Sequence, residues 1–179
     1  MLDYISSLPS QIQQNKWPRA LSILGSTGSI GRSALEVIRL QRGRFQLSAL
    51  AGGKNIDLLA KQAAEFRPAR LGLLDEADIP SLRNLLPPGY APEIVSGQEG
   101  YEDLARLPEV DIVLSAQSGA AGLRATFAAV ESGRLVALAN KESLVLAGRL
   151  IRKTCRKSGA CILPVDSGHN ARFPCLSGV

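Results

Sequence analysis

Short, continuously apolar runs alternate with stretches of helical periodicity, and this alternation constrains the chain more than any other feature. Ala20–Leu24, Phe45–Ala51, Arg70–Leu74, Ala91–Val95, Asp111–Ser115, Leu135–Leu138 and Cys161–Val165 read as strands. Between them apolar residues recur three and four apart. They do so around Ile30, Ala34, Leu35 and Ile38, then over Ile56–Phe66, Ile79–Leu86, Tyr101–Leu107, Gly119–Glu131 and Ser143–Lys157. A strand apolar on both sides must be covered on both sides, and a helix between each pair of strands is the usual parallel crossover. The predicted fold is therefore α/β: a doubly wound, mostly parallel sheet with helices on both faces. No internal repeat, low-complexity tract or linker breaks the pattern. It predicts one domain over 20–165, preceded by a surface extension over 1–19.

Several function classes are disfavoured before any motif is read. The 179 residues suffice for one domain with a full core. No apolar run approaches the ~20 residues that cross a bilayer. The opening MLDYISSLPSQIQQNKWPRA has no apolar h-region and carries an early Asp3, so the cytoplasm is the expected compartment. Cys155, Cys161 and Cys175 form neither an even disulfide set nor a CxxC pair and are expected to be structural thiols. His169 is the only histidine, which excludes a two-histidine metal site within this chain. The formal charge of +5 equals the five bases Arg149, Arg152, Lys153, Arg156 and Lys157. They share one helix face, opposite Leu144, Ala147, Ile151 and Cys155. Such a face is a solvated surface or a site for an anionic partner. Without interleaved aromatics it does not read as a nucleic-acid surface.

The first strand runs directly into Gly25-Ser-Thr-Gly-Ser-Ile-Gly31, a GxxGxxG loop that opens the first helix. In a doubly wound sheet that turn lies at the ligand crevice. Small residues there let backbone amides and the helix dipole approach a diphosphate. Thr27 and Ser29 add hydroxyl donors. The charge after the second strand then selects the dinucleotide. An NAD site places a carboxylate about 20 residues past the glycines to accept the ribose 2′-OH. Here the region reads Ala51-Gly-Gly-Lys-Asn55, and the first carboxylate is Asp57. Lys54 would attract the 2′-phosphate of NADP that a carboxylate would repel. The plainer alternative is that Gly52-Gly53 is a turn, Asn55 a helix cap and Lys54 merely exposed.

Polar groups also gather where two later strands end, in Asn140-Lys141-Glu142 and in Asp166-Ser167-Gly168-His169. Four stretches, ILGSTGSIG (23–31), AGGKN (51–55), LANKESLVLAG (138–148) and PVDSGHNARF (164–173), together resemble the 1-deoxy-D-xylulose 5-phosphate reductoisomerase family from about Leu21 onward. The resemblance implies NADPH and Mg²⁺ or Mn²⁺ as cofactors and a phosphorylated ketose as substrate. The implied reaction rearranges and reduces 1-deoxy-D-xylulose 5-phosphate to 2-C-methyl-D-erythritol 4-phosphate, in the non-mevalonate isoprenoid route. A homodimer is the implied assembly. Carried onto this chain, Thr27, Gly28, Ser29 and Ile30 would contact the cofactor phosphates. Gly53, Lys54 and Asn55 would hold the 2′-phosphate end, and Asn140 and Glu142 the nicotinamide side. Lys141 and Ser167 would contact substrate, and Asp166 would ligate the metal.

Gly168 departs from the family pattern, which has a metal-binding glutamate there. Glycine supplies no side-chain oxygen, so the metal is expected to be weakly held. Residues 166–179 would begin a further, catalytic domain. By the same resemblance the remaining metal and phosphate ligands lie beyond Val179, and the 179 residues alone are expected not to turn over. A stand-alone NADPH-binding module or regulatory paralogue is the alternative from another class. A different NADP-dependent reductase would leave LANKESLV and PVDS unexplained.

Overall fold

The computed structural model describes residues 17–165 except 42, 118, 120 and 140, with backbone alone at 121, 141, 142 and 144. Among the described residues seven strands are formed: β1 (Arg19–Leu24), β2 (Phe45–Ala51), β3 (Arg70–Leu73), β4 (Glu93–Ser96), β5 (Ile112–Ser115), β6 (Leu135–Leu138) and β7 (Cys161–Pro164). The helices between them are α1 (Ser29–Leu40), α2 (Ile56–Phe66), α3 (Ile79–Leu85), α4 (Gly97–Arg106), α5 (Ala121–Glu131) and α6 (Lys141–Ser158). All neighbouring strands pair in parallel, in the order β4-β3-β2-β1-β5-β6-β7. The chain builds outward from β1 to β4, returns to the other side of β1 as β5, and builds outward again. The reversal between β1 and β5 opens a crevice at the carboxyl ends of those strands.

Each face of the sheet has its own core. Leu35 of α1, Leu59 of α2 and Leu82 of α3 cover Ile23, Leu50 and Leu114. Tyr101 and Leu104 of α4, Ala128 of α5 and Ile151 of α6 cover Leu24, Ala51 and Val113. Adjacent residues such as Ile23 and Leu24 thus serve opposite layers, the period of two that a strand imposes. In β2 the register slips once: Leu21 pairs with Leu47 but Ser22 pairs with Ala49. The extra residue, Ser48, is a bulge that lets Leu47 and Leu50 face the same core, three positions apart.

Three local expectations are corrected. α4 begins at Gly97, a turn before the expected Tyr101, because Ser96 is extended (φ −136°, ψ 163°) and the chain coils at once behind it. That turn, Gly-Gln-Glu-Gly, holds no apolar residue to mark a period. β4 runs Glu93–Ser96, two residues later than Ala91. α6 is broken by a non-helical Ala147 (φ −133°, ψ 18°), just before Gly148, a residue that weakens a helix interior. The amphipathic reading of α6 is otherwise reproduced. Arg149, Arg152, Lys153, Arg156 and Lys157 are exposed while Ile151 is buried, though Val145, Leu146 and Leu150 also face outward. Among the described residues no helix is long and apolar enough to cross a membrane.

Candidate functional site

The carboxyl ends of the strands lie along one edge in sheet order, and of the sequence-predicted site residues Thr27, Gly28, Ser29 and Ile30 follow β1 there and Gly53, Lys54 and Asn55 follow β2. At its centre β1 turns sharply. Gly25 has φ +95°, and a Cβ there would lie 2.6 Å from the Ala116 carbonyl oxygen at the end of β5. The amides of Gly25 and Ser26 both donate to the Ala51 carbonyl, at 2.8 Å each, which ties the loop to the end of β2. A Cβ on Gly31 would stand 2.3 Å from the Gly25 carbonyl oxygen, so α1 sits directly on the loop. These two glycines are demanded by the fold itself.

Gly28 is different. It caps α1 with an extended backbone (φ −75°, ψ 173°) that any residue adopts, and a Cβ would meet nothing closer than 3.3 Å. It is exposed, it offers no capping side chain, and the first turn of α1 holds no acid. The amides that open a helix have no intrahelical acceptor, and the helix dipole adds positive potential beside them. Thr27 and Ile30 are half-buried here and Ser29 is exposed. The space left by the missing Cβ, at an uncapped helix start, fits a phosphate group.

The AGGKN turn lies beside this loop. A Cβ on Gly52 would come within 3.0 Å of the Thr27 methyl, so the two turns touch. Gly53 and Lys54 line a cleft of about 800 Å³, together with Leu74, Asp75, Glu76, Asp78, Ser96 and Gly97. Lys54 is exposed at its mouth. Asn55 caps α2, its Oδ1 accepting from the Leu58 amide at 3.0 Å. Only the Nδ2 group of that side chain is therefore left for a ligand. Asp75 is committed in the same way, accepting from the Ala77 amide at 2.9 Å.

On the other side of β1, the Ala139 amide donates to Ser115 at 3.0 Å and the Val165 amide to Leu138 at 2.8 Å. The ends of β5, β6 and β7 are thereby held level with one another. α6 begins at Lys141, so Lys141 and Glu142 stand in its first turn. Their side chains, and Asn140, Asp166, Ser167, Gly168 and His169, lie outside the described residues. Among the described residues no group of three or more His, Cys, Asp or Glu could hold a metal ion. Cys155 and Cys161 are free. Burial pushes both thiols up, so they stay protonated at neutral pH.

Two side chains not expected from the sequence support the turns from behind. Gln62 of α2 is 4% exposed and its Nε2 donates to the Ser26 carbonyl at 2.9 Å. Tyr101 of α4, 2% exposed, donates its hydroxyl to the Gly52 carbonyl at 2.5 Å. Gln62 could have been suspected from a polar residue on the apolar face of α2, whereas Tyr101 carries no such signal. The carboxylates of the cleft were likewise unmarked.

A sequence model of the 1-deoxy-D-xylulose 5-phosphate reductoisomerase family matches residues 21–148. The 1-deoxy-D-xylulose 5-phosphate reductoisomerase of Oleidesulfovibrio alaskensis is 57% identical over 178 residues, 99% of this chain and 44% of the relative. The chain thus spans less than half the length of the curated relatives it matches. Among solved structures, the enzyme from Zymomonas mobilis in complex with NADPH superposes with a TM-score of 0.80 at 40% identity, over 88% of this chain and 41% of that one. A DOX-P reductoisomerase in complex with NADPH, fosmidomycin and magnesium gives 0.78 at 43% identity, over 82% and 36%.

Proposed function

The chain belongs to the 1-deoxy-D-xylulose 5-phosphate reductoisomerase family, and we propose that it binds NADPH along the carboxyl edge of its sheet. In doing so it serves the conversion of 1-deoxy-D-xylulose 5-phosphate to 2-C-methyl-D-erythritol 4-phosphate. The observation that carries this reading is the uncapped start of α1 at Gly28, open and free of acids, at the point where strand order reverses.

The amides of Thr27, Ser29 and Ile30 hold the diphosphate there, assisted by the Thr27 and Ser29 hydroxyls, while Gly28, whose own amide donates to the Gly25 carbonyl at 3.1 Å, contacts it through its bare Cα. One strand over, the Lys54 ammonium pairs with the 2′-phosphate, and Gly53 and the Asn55 Nδ2 group donate to it. The carboxylates of Asp75, Glu76 and Asp78 repel phosphate from the rest of that cleft and so restrict the phosphate to the Lys54 end. The cofactor, when bound, supplies hydride from its nicotinamide ring. Asn140 and Glu142, following β6 on the opposite side of β1, orient that ring. Lys141 binds the substrate phosphate or hydroxyls by charge-assisted hydrogen bonds, and Ser167 contacts the substrate. Asp166 contributes to a Mg²⁺ or Mn²⁺ site in which Gly168 provides no donor. We further assign the protein to the cytoplasm, which its free thiols suit, and to a homodimer.

Calorimetric titration of the whole chain tests the reading. NADPH is expected to bind at least about tenfold more tightly than NADH, the difference one charge-assisted pair supplies. Lys54→Ala, an exposed change, should abolish most of that preference and leave NADH binding as it was. Equal affinities for the two cofactors in the unsubstituted protein would overturn it.

A further inference from the structure

Two buried side chains, Gln62 and Tyr101, grip backbone carbonyls on the two turns to which the cofactor phosphates are assigned above. Each comes from a different core. α2 belongs to the layer with α1 and α3, while Tyr101 packs in the layer of α4, α5 and α6. Gln62 Nε2 holds the Ser26 carbonyl at 2.9 Å and the Tyr101 hydroxyl holds the Gly52 carbonyl at 2.5 Å.

A trans peptide is planar, with the carbonyl of one residue and the amide of the next pointing in opposite directions. Drawing the Ser26 carbonyl toward α2 therefore turns the Thr27 amide away from α2. Drawing the Gly52 carbonyl toward α4 turns the Gly53 amide away from α4. Neither amide donates to an acceptor among the described residues, and both residues are partly exposed.

The cost of these side chains argues that the bonds are the reason for them. Gln62 is buried with its Oε1 lacking any hydrogen-bond partner among the described residues. A desolvated, unsatisfied carbonyl is unfavourable, and an apolar residue of the same length would avoid it. We propose that Gln62 and Tyr101 are positioning residues, which aim the Thr27 and Gly53 amides at the cofactor's diphosphate and 2′-phosphate respectively. This inference rests on the NADPH reading above and goes beyond it by assigning the device that orients the two donors.

The two clamps predict different signatures, which a purely structural role would not produce. Gln62→Met should weaken NADPH and NADH alike, by about tenfold, because both cofactors carry the diphosphate. Tyr101→Phe should weaken NADPH by about tenfold and leave NADH within about twofold, because only NADPH carries the 2′-phosphate. Both are measured by calorimetry on the 179-residue chain, beside thermal melts. Lowered melting temperatures with both affinities unchanged would refute the inference while leaving the NADPH reading intact. Failure of the unsubstituted chain to bind NADPH would instead refute that reading. Should either variant not fold, ¹⁵N-resolved spectra of the unsubstituted chain decide. NADPH must move the Thr27 and Gly53 amide protons downfield, and NADH only that of Thr27. Unmoved resonances at saturation would exclude the assignment.

Discussion

Gly28 and Gly31 look alike in the sequence and differ in what they do. At Gly31 an added Cβ would meet the Gly25 carbonyl oxygen at 2.3 Å and the Ser26 Cα at 2.5 Å, both backbone atoms that cannot step aside. Gly31→Ala is therefore expected to cost at least about 2 kcal/mol of stability. Gly28→Ala meets one atom at 3.3 Å, on a backbone already suited to an L-residue. Its cost should stay under about 1 kcal/mol. The methyl would, however, occupy the space assigned to phosphate, and NADPH affinity should fall about tenfold or more. Urea denaturation and calorimetry on the pair separate a folding glycine from a binding one. A Gly28→Ala protein that binds NADPH normally would remove the cradle from the site.

At the scale of the element, α6 shows how one helix can satisfy the core and still present apolar groups outward. Ile151 is 1% exposed against Ala128 and Ile162, whereas Val145 and Leu146 are 83% and 63% exposed. The break at Ala147 separates the first turn, which carries Lys141 and Glu142, from the packed length that carries Ile151. Ile151→Ala should cost about 2–4 kcal/mol through lost burial and the cavity left behind. Leu146→Gln should change stability by no more than about 0.5 kcal/mol, since it gives up no buried contact. Chemical denaturation distinguishes these, and a large loss for Leu146→Gln would mean that the outward face is covered.

For the molecule as a whole, buried Tyr101 and half-buried Tyr90 contribute to its behaviour in alkali. Burial raises the Tyr101 phenol well above its ordinary value of 10.0, and burial likewise pushes Tyr90 up to about 12, with Arg67 opposing. Above pH 10 the unfolded chain loses protons that the folded chain keeps, so the stability these groups contribute is complete below that pH and falls as pH rises. Tyr101 alone should contribute a slope of up to about 1.4 kcal/mol per pH unit. Tyr101→Phe should lower stability at neutral pH, through the lost bond to Gly52, yet make its decline above pH 10 shallower. Denaturation midpoints across that range, read beside tyrosinate absorbance, check the sign. A Tyr101 that ionises near 10.0 in the folded protein would contradict the burial argument.

The alternation of apolar runs and helical periods determined, on its own, the succession of strands and α-helices and the parallel sheet, though not the starts of β4 and α4. Each is a local periodicity imposed by backbone geometry, so neighbouring residues reveal it. The glycine turn and the Lys54 turn were legible for the same reason, since each is a short contiguous motif beside a strand. Asn140, Lys141, Glu142, Asp166 and Ser167 stood out as polar groups where two strands end, and the roles proposed for them come only through the resemblance of longer strings. Tertiary structure decided the rest. It put β1 at the centre of the sheet, brought Asp75, Glu76 and Asp78 to the cleft that holds Lys54, and broke α6 at Ala147. It also set Gln62 under Ser26 and Tyr101 under Gly52, across separations of 36 and 49 residues. No local pattern encodes such contacts, because they exist only after two cores have closed on opposite faces of one sheet.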